Sequence, residues 1–180
     1  MPTRQPLPRL WLMTDERLGD GLFRAIGRLP AGAGIVLRHY SLSEVARRDL
    51  FVRVRAAAPG PVLVAGPGAL AKAWGADGSH GRGAGWGLRS APVHDLAEIR
   101  AAERDGADLL FLSPAFATRS HPEARPLGLA RFARLARRTA LPVIALGGMN
   151  EARGRRLTGF GAYGWAGIDA WASEGVTPDR

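Results

Sequence analysis

Short apolar runs alternate along this chain with longer segments in which apolar residues recur every three or four positions. The runs 10–14, 34–38, 108–112, 142–146 and 163–168 are too short for helices and are bounded by polar, Pro or Gly residues, the pattern of strands covered on both faces. Weaker versions occupy 62–65, 77–80 and 88–94. Segments 21–29, 43–58, 95–105, 127–139 and 150–159 read as helices, the second opened by serine with glutamate close behind. Eight strands with intervening helices predict a parallel sheet closed into a (β/α)8 TIM barrel. Between the fourth and fifth strands stands GRGAGWG (81–87), too short and too Gly-rich for a helix, so the helix after the fourth strand is predicted to be shortened or missing. A doubly wound open sheet uses the same alternation, but no G-x-G-x-x-G follows the first strand.

Composition narrows the classes. A chain of 180 residues with an apolar fraction of 46% suits one globular domain over 1–180. The absence of cysteine excludes disulfides, thiolate zinc sites and Cys nucleophiles. No apolar segment approaches membrane-spanning length and the first ten residues lack a signal-peptide core, so a cytoplasmic protein is expected. The net charge of +9 is carried by scattered arginines, with pairs such as Arg47-Arg48, Arg137-Arg138 and Arg155-Arg156 on predicted helices. Solvated helix faces account for most of them; a positive field would also draw anionic metabolites. Neither a nucleic-acid nor a membrane partner is expected, and a homo-oligomer is left open.

Barrel active sites sit where strands finish, which directs attention to SPAFATRSH after the sixth strand and GGMN after the seventh. Gly147-Gly148 lets backbone N–H groups approach a phosphate, or merely allows a tight turn. His94, after the fifth strand, suits proton transfer near neutral pH or else caps the helix that follows. Asp15 reads as a turn or cap residue, and His80 as a buried, hydrogen-bonded structural histidine. His39 and Tyr40 either frame an aromatic pocket or lie in a plain loop, and Arg119 with His121 could contact an anion. Asp169 is of the favoured cap type at the start of a last short helix, with Gly167, Ile168 and Ala170 offering N–H groups beside it.

Taken in order, LWLMTDERL, GIVLRHY, GADGSH, APVHDLAEIRAAERDGADLLFLSPAFATRSH, LGLARF, LPVIALGGMN and FGAYGWAGIDA resemble the thiamine phosphate synthase and TenI superfamily over nearly the whole chain. The resemblance implies a barrel that binds thiazole phosphate at its mouth. A synthase would join it to a pyrimidine methyl pyrophosphate with magnesium, whereas a TenI-type tautomerase would aromatise the thiazole carboxylate phosphate without a metal. It assigns proton transfer to His94, phosphate contacts to Gly147, Gly148, Gly167, Ile168 and Asp169, substrate ordering to Thr118, Ser120 and His121, and a pyrophosphate contact to Arg38.

The departures bear on the reaction. The family's Gln-x-Arg-x-Lys is here Val36, Arg38 and Tyr40, so only the arginine is kept. Its Asn-Asp after the third strand is Ala65-Gly66, and 81–87 holds no acid, although magnesium needs oxygen ligands. Pro92 stands for a serine, Ser120 for a threonine and His121 for a lysine. A metal-independent tautomerase with no cofactor is therefore expected first, a divergent synthase using magnesium second, and a non-catalytic phosphate-ligand-binding or regulatory barrel third.

Overall fold

The computed structural model describes residues 6–118 and 123–172. Eight strands, β1 (Leu10–Met13), β2 (Gly34–Leu37), β3 (Val62–Ala65), β4 (Gly78–His80), β5 (Leu88–Val93), β6 (Leu109–Leu112), β7 (Val143–Ala145) and β8 (Gly164–Gly167), pair in parallel in chain order. Leu10 of β1 pairs with Trp165 of β8 and closes the barrel. The apolar runs arise from this closure: each strand packs side chains alternately into the barrel and under the helical ring, so β2, β3, β6 and β8 are buried throughout.

Contacts between non-adjacent strands mark the interior. Trp11 of β1 meets Phe111 of β6 edge to face at 5.5 Å, and Phe111 meets His80 of β4 at 5.0 Å. Gly34 makes room for the indole, since a Cβ there would lie 2.3 Å from the Trp11 ring. His80 Nδ1 and Ser90 Oγ share a hydrogen bond of 2.8 Å, so the histidine is buried and structural, as expected.

The outer layer comprises α1 (Leu22–Gly27), α2 (Glu44–Ala57), α3 (Gly68–Trp74), α4 (Leu96–Arg104), α5 (Gly128–Ala136) and α6 (Glu151–Thr158). Ser43, Asp95 and Asn150 cap α2, α4 and α6 through their side-chain oxygens. A 3-10 segment, Glu16–Gly21, precedes α1 and absorbs residues expected to be loop. Helix α3 was not assigned from sequence; its signals are Pro67 before it and Gly75 after it, the latter left-handed at φ +71°.

No helix joins β4 to β5. A parallel crossover ordinarily needs a dozen residues or more, yet 81–87 returns the chain in an open path. Glycine permits it: a Cβ at Gly68 would lie 2.6 Å from the Gly85 carbonyl carbon, so α3 and the loop meet backbone to backbone. Trp86 N–H donates to Ser79 Oγ at 2.9 Å and Gly83 N–H to Asp105 Oδ2 at 3.1 Å.

Two readings need correction. Arg47 is not a solvated helix charge: it is buried, donates to Leu37 O at 3.1 Å and Ala65 O at 2.6 Å, and thereby ties α2 to the ends of β2 and β3. Asp169 is not a cap, because the preceding residue of the terminal 3-10 turn Asp169–Trp171 is Ile168 and no side chain caps it; Asp169 pairs instead with Arg17. Among the described residues, no helix is long and apolar enough to cross a membrane.

Candidate active site

At the barrel mouth, where β1, β2 and β5 to β8 end, lies a cavity of about 410 Å³. Its lining includes Arg38, His94, Thr118, Gly147, Gly148, Gly167, Ile168 and Asp169, so closure of the barrel brings together eight candidate residues spread over 132 positions of sequence. Ser120, His121 and Arg119 lie outside the described residues.

The glycine pair performs two tasks. Gly147 and Gly148 adopt φ +95° and +61°, which side chains rarely tolerate. A Cβ on Gly147 would lie 2.9 Å from Pro114 Cα, and one on Gly148 2.3 Å from Ala117 O. The loop after β7 is thus nested against the loop after β6, and Ala115 N–H to Leu146 O (2.8 Å) and Phe116 N–H to Gly147 O (3.1 Å) lock the two. The glycine pair forms a tight turn, and that turn is one wall of the cavity. Among the described residues, the Gly148 and Met149 N–H groups donate to no acceptor, and the N-terminus of α6 follows directly. Such an array suits an anion.

His94 lines the same cavity. Its Nδ1 pairs with Glu98 Oε2 at 2.7 Å and its backbone N–H donates to the same oxygen at 2.8 Å. The imidazole is half exposed, so it is reachable by a ligand. With Nδ1 engaged, Nε2 is the ring nitrogen with no hydrogen-bond partner among the described residues.

Charges at the mouth are largely paired. Asp15 takes its expected local role by accepting from Arg17 N–H at 3.2 Å, and it also forms an ion pair with Arg38. Arg17 Nε lies 3.4 Å from Asp169. Arg153 donates to Gly148 O and lies over the Phe116 ring. Sequence reasoning missed Arg17 and Arg153; their only local signal is a place soon after a strand end, in company with many other arginines.

His39 and Tyr40 do not line this cavity. His39 is buried, shares a hydrogen bond of 2.9 Å with Thr14, and has its pKa lowered, chiefly by burial. Tyr40 is exposed and flanks Arg47. The plain-loop reading is the one observed. His80 lies beneath the mouth, and burial, aided by the charge of Arg38, lowers its pKa to about 4.

Among the described residues, the magnesium implied by the synthase resemblance finds no matching cluster of donors. At the end of β3 the Arg47 guanidinium already holds Ala65 O. Asp15, Asp169 and Glu98 are each paired with arginine, and among the described residues no three acids or histidines cluster to hold a metal. The described residues do not fit the ion.

The family described as thiamine monophosphate synthase matches residues 90–171, from β5 to the terminal turn. A thiamine-phosphate synthase of Chloroflexus aurantiacus is 32% identical over 90% of this chain and 84% of its own length. The chain belongs to the thiamine phosphate synthase/TenI family. A putative thiamine-phosphate synthase 2 of Aquifex aeolicus is 43% identical, but the match covers only 42% of this chain and 41% of that protein. Among solved structures, the thiamine phosphate pyrophosphorylase of Pyrococcus furiosus superposes with a TM-score of 0.72 at 25% identity, covering 93% of this chain and 89% of that one. In this family member the closed barrel joins β4 to β5 through the seven residues 81–87.

Proposed function

We propose that this chain binds a phosphorylated thiazole at the barrel mouth and moves a proton on it through His94 without a metal, the chemistry of a TenI-type tautomerase. The observation that carries this reading is that His94, its Nδ1 engaged by Glu98, lines the same cavity as the Gly147–Gly148 turn. The phosphate is placed against the Gly148 and Met149 N–H groups at the start of α6, with Arg153 beside them. The thiazole ring then lies toward β5, where Nε2 of the neutral imidazole takes a proton from a ring carbon and returns it at the exocyclic position. Arg17 offsets the Asp169 carboxylate that would otherwise repel the phosphate. Purified protein supplied with the thiazole carboxylate phosphate should convert it to the aromatic isomer in the presence of a chelator. A His94→Ala variant with undiminished turnover would refute the assignment.

A second reading, thiamine phosphate synthase, is favoured by the names of the relatives aligned over most of the chain, including that of Methanoculleus marisnigri at 33% identity over 92% of this chain and 88% of its own. Arg38 is its remaining pyrophosphate contact, and the ion pair with Asp15 would have to open to admit one. Calorimetric titration separates the readings. Binding of thiazole phosphate without magnesium pyrophosphate supports the tautomerase; binding of both, with chelator-sensitive formation of thiamine phosphate, supports the synthase. Binding without turnover of either kind supports a regulatory barrel.

A further inference from the structure

The segment that replaces the fourth helix reaches the candidate active site. Residues 81–87 lie against α4 and are tied to it twice, through Gly83 N–H to Asp105 near its end and through the Arg82–Glu98 ion pair near its start. Glu98 is also the partner of His94, through both the backbone N–H and Nδ1. Arg82, Glu98 and His94 therefore form a continuous chain of contacts from the outer hollow lined by Arg82 and Glu98 to the mouth cavity lined by His94.

From this geometry we infer that Glu98 is a positioning residue for His94. Its carboxylate, steered by Arg82 from the shortened crossover, holds the proton of the neutral imidazole on Nδ1 and presents a bare Nε2 to the ligand. The two nitrogens of histidine are distinguished by the hydrogen bond that one of them makes. A carboxylate can only accept, so Glu98 requires Nδ1–H and leaves the lone pair on Nε2. Among the described residues, Asp95 offers its carboxylate to Glu98 N–H at 2.9 Å, and Arg17, Arg38, Arg153 and Asp169 are charged groups that line the same cavity as His94. Among the described residues, Glu98 is the charged group that contacts the imidazole. The inference rests on the reading of His94 as the proton-transfer group.

Glu98 also stands where a helix-capping partner stands, three residues after the Asp95 cap. The test must separate the two roles. The His94–Glu98 and Arg82–Glu98 pairs are partly exposed and contribute little to stability, so variants of either partner should fold. Full-length protein labelled with ¹⁵N-histidine is examined by long-range ¹H–¹⁵N spectroscopy above the imidazole titration range. The expected wild-type spectrum has His94 protonated on Nδ1. Glu98→Ala should move the proton to Nε2 and lower kcat roughly tenfold to a hundredfold, with KM for the thiazole carboxylate phosphate retained. Asp95→Ala, which removes the cap but leaves the carboxylate on the ring, should keep the wild-type tautomer; Arg82→Ala should give a mixture that Arg82→Lys restores. An unchanged tautomer in Glu98→Ala, or a tautomer change in Asp95→Ala of the same size, would overturn the positioning role. Full turnover by His94→Ala would overturn the catalytic reading on which it rests, even where Glu98→Ala moves the proton.

Discussion

Replacing Gly148 by alanine tests whether the nested glycine turn is also the anion site. Gly148 has φ +61°, and the left-handed conformation costs an L-residue about 1–2 kcal/mol. The added Cβ would sit 2.3 Å from Ala117 O, whereas real Cβ contacts stay beyond 3.0 Å, so the two loops must separate by several tenths of an ångström. That displacement carries the Gly148 and Met149 N–H groups away from any phosphate. A charge-assisted hydrogen bond contributes about 1.5–3 kcal/mol, so losing one should weaken thiazole phosphate binding roughly tenfold to a hundredfold. Gly75→Ala provides the comparison: φ is +71° but nothing lies within 4 Å of the new Cβ, so it bears the backbone cost alone. Urea unfolding should show both variants destabilised, Gly148→Ala more so, while calorimetry with thiazole phosphate should show weakened binding in Gly148→Ala only. Wild-type affinity in a destabilised Gly148→Ala protein would mean that the glycines serve loop packing and that the anion binds elsewhere.

Other consequences are open to direct measurement. His80 titrates at about 4 when folded against an ordinary 6.5, so the unfolded chain binds the extra proton and stability falls as pH drops through that window. The His80 contribution should fall by about 2 kcal/mol between about pH 7 and pH 5, and His80→Gln should flatten the pH dependence of urea unfolding; an equal slope in the variant would contradict the burial argument. His94→Ala should reduce tautomerase turnover by about 10²–10⁴-fold while leaving the unfolding midpoint near the wild-type value, since the side chain is half exposed. Asp169→Asn should tighten thiazole phosphate binding several-fold by removing a negative charge from the cavity, and weaker binding by calorimetry would show that the carboxylate chiefly holds Arg17 in place.

Most of the barrel was readable in one dimension because closure imposes one requirement on every strand. Both faces are covered, so the strands become apolar runs such as LLFL at 109–112, and the intervening segments acquire helical periodicity. The missing helix was equally plain, since seven residues rich in glycine cannot form one. Helix α3 escaped because it is short and carries no polar cap, and the Pro67–Gly68 opening looks like a turn until the backbone is seen approaching Gly85. Several candidate residues stood at strand ends, a local property, and so His94, Gly147 and Gly148 could be named beforehand.

The partners of those residues were decided by tertiary structure. Arg17 meets Asp169, Arg82 meets Glu98, and buried Arg47 meets the end of β3, contacts that depend on how neighbouring strand ends and loops converge in space. A sequence with so many arginines gives no means of telling a solvated one from one that neutralises a carboxylate at the mouth. The sequence by itself determined the eightfold alternation, the shortened crossover and the chemical types at the strand ends. Closure of the sheet decided which of those groups share a cavity and which charges are already paired, because both depend on distances across the barrel rather than along the chain.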